Sequence, residues 1–134
     1  MKYLMACFSL LVAFCAFGTK SPELTDLTKP FLLTHPGRFS IYLPSNPTTG
    51  YQWFVSDTHA PWLRVVSGRD LEPKASGAVG APGMYVIDFN ALPAGFVAPS
   101  ITTVELVYMR PWELAGKKEM QVSIITHKSR DRSY

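Results

Sequence analysis

The chain has 134 residues, a formal net charge of +3, and 47% hydrophobic against 17% charged residues. That is one domain's worth of chain, long enough to bury a core without disulfide staples. Its lysines and arginines are too few and too scattered to favour a nucleic-acid partner. Eleven Pro and nine Gly, set mostly between apolar runs, point to many short elements joined by shaped loops.

Residues 1–18 read as a targeting signal rather than as fold. Lys2 gives the positive start, and Tyr3 to Cys15 is an apolar run of signal-peptide length, short for a bilayer span. Ala16-Phe17-Gly18 puts small residues where a signal peptidase needs them, so cleavage is expected after Gly18, leaving 19–134 as one exported domain, periplasmic or secreted. Lipid attachment at Cys15 is the less favoured alternative, because bulky Phe14 stands where a small residue normally precedes a lipidated Cys; an uncleaved anchor is the third. Cys7 and Cys15 are the chain's two cysteines, so a domain cut after Gly18 has no thiol nucleophile, thiolate metal site or redox motif.

Beyond the signal, Leu24 and Leu27 begin a first edge strand, and Pro36-Gly37 makes a turn. Phe39, Ile41 and Leu43 alternate with Ser40 and Tyr42 as a strand that Pro44 ends. After Gly50, Tyr51, Trp53 and Val55 alternate with Gln52, Phe54 and Ser56. Trp62 to Val66 reads as a short strand carrying Trp62 into the core, and Ser67 to Gly83 as turn-rich chain. Tyr85, Ile87 and Phe89 form the next strand and Ala91 to Pro99 a loop. Ile101 to Met109 is the longest strand, with Val104, Leu106 and Tyr108 on one face. Arg110-Pro111-Trp112-Glu113 breaks it, and Gly116-Lys117 turns into a last strand, where Met120, Val122 and Ile124 alternate with polar residues; a basic tail runs from His127 to Tyr134.

No helical period competes with this pattern. About seven short strands at regular spacing predict an all-β, immunoglobulin-like β-sandwich, without the antibody domain's Cys pair around a core Trp. Catalysis has little support. His35, His59 and His127 sit beside turns or in the tail with no metal-ligand spacing. Asp57 and His59 could be drawn as a dyad, but there is no Gly-x-Ser-x-Gly elbow and no phosphate-cradling Gly motif. Neither metal nor cofactor is expected.

Function therefore falls to loops. Asn46-Pro47-Thr48-Thr49-Gly50 is a rigid turn in which Pro47 fixes φ, Gly50 permits a positive φ, and the two threonine hydroxyls are expected to face outward. Trp112, directly after Pro111 at a strand end, is poorly placed to reach a core, and Trp and Arg are enriched at binding hot spots. The alternatives are that Trp112 folds back over its own loop and that Arg110 only orders loops. Tyr51 is expected to point into the core beneath the first loop.

Together these loops resemble the chagasin-like inhibitors of papain-family cysteine peptidases. That family carries an Asn-Pro-Thr-Thr-Gly-Tyr loop, a Gly-rich loop and an Arg-Pro-Trp loop, in that order, on an immunoglobulin-like sandwich. Here they correspond to Asn46 to Tyr51, to Gly80-Ala81-Pro82-Gly83, and to Arg110-Pro111-Trp112. Pro82 departs from the family's Gly and stiffens the middle loop. The resemblance implies a non-enzymatic, reversible inhibitor, expected to be monomeric, whose three loops fill a papain-family peptidase's cleft. Thr48 and Thr49 would lie over the catalytic residues, Trp112 would be the anchor on the primed side, and Gly80 to Gly83 would line the other side. The rival reading is an exported adhesion or envelope-assembly module whose loops are only structural; a carbohydrate-binding module would use Trp112 and Tyr51 as sugar platforms.

Overall fold

The structure, a computed structural model, describes residues 20–71 and 83–128. The residues assigned to the signal, Gly80 to Pro82 of the middle loop, and the end of the tail lie outside the described residues.

Strict alternation builds the centre. In β3 (Gly37–Ser45) the side chains of Phe39, Ile41 and Leu43 are fully buried, while Ser40 and Tyr42 face out. β6 (Gly83–Ala91) runs antiparallel to it, with Phe39 opposite Phe89 and Ile41 opposite Ile87. The Phe39 and Phe89 rings stack with centroids 5.2 Å apart and planes 11° from parallel, a cross-strand pair of the kind that stabilises sheets. β1 (Glu23–Leu24) and β5 (Leu63–Leu71) flank these two strands, giving the order β1-β3-β6-β5. The second sheet has the order β2-β8-β7-β4, from β2 (Phe31–Leu33), β8 (Glu113–Thr126), β7 (Ser100–Arg110) and β4 (Gln52–Asp57). Its inward side chains, among them Trp53, Val104, Leu106, Val122 and Ile124, close the core against the first sheet. The described residues form an all-β sandwich of eight strands, close to the expected seven.

The expectation departs from the structure where local signals were weak. Phe31–Leu33 forms β2 because it pairs in parallel with Ile124 to Thr126, a non-local partner that a three-residue run cannot announce. β5 continues through the expected turn region to Leu71, paired with β6 on both sides of a register shift between Val65 and Ser67 and despite Gly68. Trp62 stops short of the core: it lies half-buried in the turn before β5, against Phe96 and over Gly95 in the Pro93–Phe96 3-10 turn.

Pairing fixes two poles. Gly37, Leu63 and Ala91 of one sheet and Ser100 and Thr126 of the other mark one pole, where the described chain enters and leaves. Ser45 opposite Gly83, and Gln52 opposite Met109, mark the other. On the solvent face of the first sheet, Asp88 accepts bonds from Ser40 at 2.6 Å, from Ser67 at 2.9 Å and from Arg69. These bonds, the Ser40 one foremost, hold its carboxyl below the usual carboxylate range against the opposing effect of burial.

A group depressed in the folded state stabilises above its unfolded pKa, about 4 for Asp, and loses that contribution as pH falls toward the folded value. Denaturant titrations of the wild type and Asp88→Asn should therefore show a stability gap at pH 7 that closes as pH falls below about 4.

Candidate functional site

The first loop is built from its own polar groups. Pro47–Thr49 forms one 3-10 turn, with Asn46 extended before it and Gly50 closing it at φ +78°. Asn46 O accepts from Thr49 N at 3.2 Å and from the Thr49 hydroxyl at 2.8 Å; the Thr48 hydroxyl donates to Asn46 Oδ1 at 2.7 Å. The threonine hydroxyls thus turn back onto the loop, not outward as expected, because short polar side chains satisfy nearby backbone first. What the loop offers outward is small side chains on backbone already held in shape.

Its foot is aromatic. The Tyr108 hydroxyl accepts the Asn46 N–H at 3.1 Å, and the Tyr108 ring lies 4.8 Å from Trp53 and 5.2 Å from Tyr51. Trp53 Nε1 donates to Pro44 O at 2.9 Å, tying the loop's two ends. Tyr51 is half-buried rather than in the core: it leaves the sandwich beside Tyr108 and is capped by the Arg110 guanidinium, 4.8 Å from its ring centroid. β1 and β2 are short, and neither extends alongside Pro44 to Asn46 or Lys118 to Met120. The flank between Pro44 to Asn46 and Lys118 to Met120 is consequently an open groove of about 490 Å³, floored by Trp53 and Tyr108.

Arg110 joins the third loop to the first. Its Nε donates to Thr49 O at 3.0 Å, and its guanidinium reaches Glu113 Oε2 at 3.3 Å. Arg110 pairs with Glu113 across Pro111-Trp112, so β8 starts at Glu113, ahead of the expected Gly116 turn. Gly116 instead supplies a positive φ of +82° where β8 is out of regular register with β7. Trp112 is 75% exposed and does not fold over its own loop alone. A Cβ built on Gly50 would stand 2.9 Å from the Trp112 ring, so the indole rests on Gly50 of the first loop.

Of the middle loop, Gly83 is described, and it is a strand residue: the buried first position of β6, opposite Ser45. The connection between β5 and β6 therefore leaves and returns at the pole that carries Asn46 and Arg110. At the other pole, His59 has φ +52°, with Nδ1 3.4 Å from Asp57 and Nε2 2.9 Å from Glu105. The Glu105 bond chiefly raises its pKa. Asp57 and His59 do meet, but as an exposed clasp flanked by a second carboxylate, with no nucleophile in the arrangement. Among the described residues no group of His, Cys, Asp and Glu is arranged to hold a metal ion.

Residues 35–124 match the family described as Chagasin family peptidase inhibitor I42. The chain belongs to the chagasin family. That is a family of peptidase inhibitors, not of enzymes. A similar protein is Amoebiasin-2 of Entamoeba histolytica, 36% identical over 84 residues, 60% of this chain; the chain spans 61% of that relative's length. The crystal structure of the cysteine protease inhibitor EhICP2 from Entamoeba histolytica is similar with a TM-score of 0.60 at 25% identity, over 78% of this chain and 94% of that one. The solution structure of Amebosin matches at a TM-score of 0.59 and 23% identity, over 81% and 99% of the chains. PbICP-C, solved in complex with falcipain-2, shares the fold at a TM-score of 0.50 and 16% identity, over 81% and 99%. The chain thus has the immunoglobulin-like fold of the chagasin-family cysteine protease inhibitors.

The sequence marks Arg110 to Gly116 as a loop but assigns no site role to three residues of this pole, Tyr108, Glu113 and Leu114. The alternation puts Tyr108 on the core face and gives no sign that its hydroxyl serves Asn46. Glu113 and Leu114 directly follow the Arg-Pro-Trp motif, and that adjacency was the available signal.

Gly50→Ala should destabilise the domain by about 1–2 kcal/mol, the ordinary penalty for a side chain in left-handed backbone. It should also move the indole N–H resonance of Trp112 in a nitrogen–proton NMR spectrum. The Trp53 resonance, fixed on Pro44 O, should stay in place.

Proposed function

We propose that this chain is a reversible inhibitor of papain-family cysteine peptidases that occludes the active-site cleft with the loops at one pole. The observation that carries the reading is the joining of Asn46 to Tyr51 with Arg110 to Trp112 through the Arg110–Thr49 bond and the Trp112–Gly50 contact. Two motifs distant in sequence form one continuous projecting surface, with an exposed indole beside a backbone ridge of small residues. Thr48 and Thr49 let main chain approach a narrow cleft closely, and Trp112 is the residue type that dominates such interfaces. Because the loop is held by its own hydrogen bonds, little conformational entropy is lost on docking. A protease–inhibitor interface of about 1,600 Å² is within reach of one pole of a domain this size.

In this reading the third contribution comes from the connection that includes Gly80, Ala81, Pro82 and Gly83, and the inhibitor acts as a monomer. Export through residues 1–18 belongs to the same proposal; N-terminal sequencing of the mature protein distinguishes cleavage after Gly18 from an anchor at Cys15.

Titration of residues 19–134 against papain or a cathepsin L-type enzyme, read with a fluorogenic peptide, should give reversible inhibition without slow cleavage of the added protein. Thr49→Lys and Trp112→Ala should each weaken inhibition at least tenfold. That corresponds to about 1.4 kcal/mol or more. Unchanged inhibition by both variants, or none by the folded wild type, defeats the reading.

A further inference from the structure

The described residues leave four large apolar side chains about 70% or more exposed, in two pairs at opposite poles: Trp112 (75%) with Leu114 (73%), and Val97 (72%) with Ile101 (70%). Leu114 belongs to none of the motifs that mark the loops. Its setting is not that of a loose loop residue. On its N-terminal side the chain is pinned where Arg110 pairs with Glu113 and the two side chains meet at 3.3 Å. On its C-terminal side Gly116 takes its positive φ against the Tyr51 hydroxyl, which would stand 3.4 Å from a Cβ there. Glu113 turns its carboxylate back to Arg110, and the residues on either side of it, Trp112 and Leu114, are left facing solvent. An aliphatic side chain kept in water on a braced backbone forgoes about 1.5–3 kcal/mol of burial, and next to Trp112 it extends the apolar surface of the pole that carries the loops, as Val97 and Ile101 do not.

We infer that Leu114 is a second apolar anchor for the target, a specificity-determining residue beside Trp112. The inference rests on the inhibitor reading given above. Trp112 and Leu114 flank Glu113, the extended first residue of β8, so their Cα atoms are about 7 Å apart. The partner that fits is a papain-family peptidase with two neighbouring apolar depressions at that spacing: one wide enough for an indole, and an aliphatic or aromatic-lined one farther from the catalytic centre. A peptidase with a charged residue at the second depression would have to desolvate that charge against Leu114 and would be inhibited more weakly. Leu114 thus sorts targets within the class, while the first loop reads what the class has in common.

The test compares four proteins: the wild type, Trp112→Ala, Leu114→Ser and Ile101→Ser. Each is titrated against papain and a cathepsin L-type enzyme, with thermal midpoints measured in parallel. Ile101→Ser removes an equally exposed aliphatic from the opposite pole and controls for general stickiness. Support is a loss of about tenfold or more for Leu114→Ser against at least one enzyme, with an unchanged midpoint and no loss for Ile101→Ser. If the wild type inhibits both enzymes and Leu114→Ser follows it within twofold on each, the second anchor is overturned and the loop reading stands. An equal loss for Ile101→Ser also overturns it, since the effect is then not local. A folded wild type that inhibits neither enzyme removes the inhibitor reading and the anchor with it.

Discussion

The Arg110 guanidinium, bonded through Nε to the Thr49 carbonyl and laid over the Tyr51 ring, joins loops that lie 61 residues apart in the chain. One planar cation makes a hydrogen bond, a ring contact and an ion pair to Glu113 from a single position. That geometry depends on a rigid fork of donors on a flat, weakly hydrated head, which a lysine ammonium does not offer. With Arg110 in place, the third loop has a fixed origin, Pro111 has a fixed direction, and Trp112 settles over Gly50. The ion pair itself is exposed and adds little stability. Its value is geometric: it holds the two loops together beyond the last β4–β7 pair, Gln52 opposite Met109.

The sandwich beneath is arranged so that this alignment survives. Phe39 and Phe89 stack at its centre, and the inward rows of both sheets bury their side chains almost completely. Tyr108 lies at the end of one of those rows and serves both regimes: its ring packs on Trp53 and Tyr51, while its hydroxyl takes the Asn46 N–H. Core and loop are thus linked through Tyr108, alongside the Trp53 Nε1 bond to Pro44 O. Large apolar groups left in solvent at the same pole, Trp112 and Leu114, sit on this stiffened base, where a partner gains their burial without first ordering them. The described chain enters and leaves at the opposite pole.

Much of this was legible in the residues. Alternation over Phe39 to Leu43, Tyr85 to Phe89 and Met120 to Ile124 declared strands because each has one face in the core and one in water, and a period of two is the direct result. Asn46 to Gly50 declared its turn through Pro47 and Gly50, whose backbone preferences are intrinsic. The edges were less readable. β2 exists only because Phe31 to Leu33 finds β8, and β5 runs on through Ser67 and Gly68 because β6 is there to pair with them. Strand pairing is a property of two segments, so one of them alone carries a weak signal.

The sequence by itself therefore determined the strand-rich class, the conformation of the first loop and the family to which the chain belongs. Those depend on local backbone preference and on residue types in a fixed order. Tertiary structure decided which way the side chains at the site point. Tyr51 leaves the core to lie between Tyr108 and Arg110, and Trp112 meets Gly50. Each of these depends on a partner brought close by sheet pairing from a distant part of the chain, and that proximity comes into being only when the chain folds.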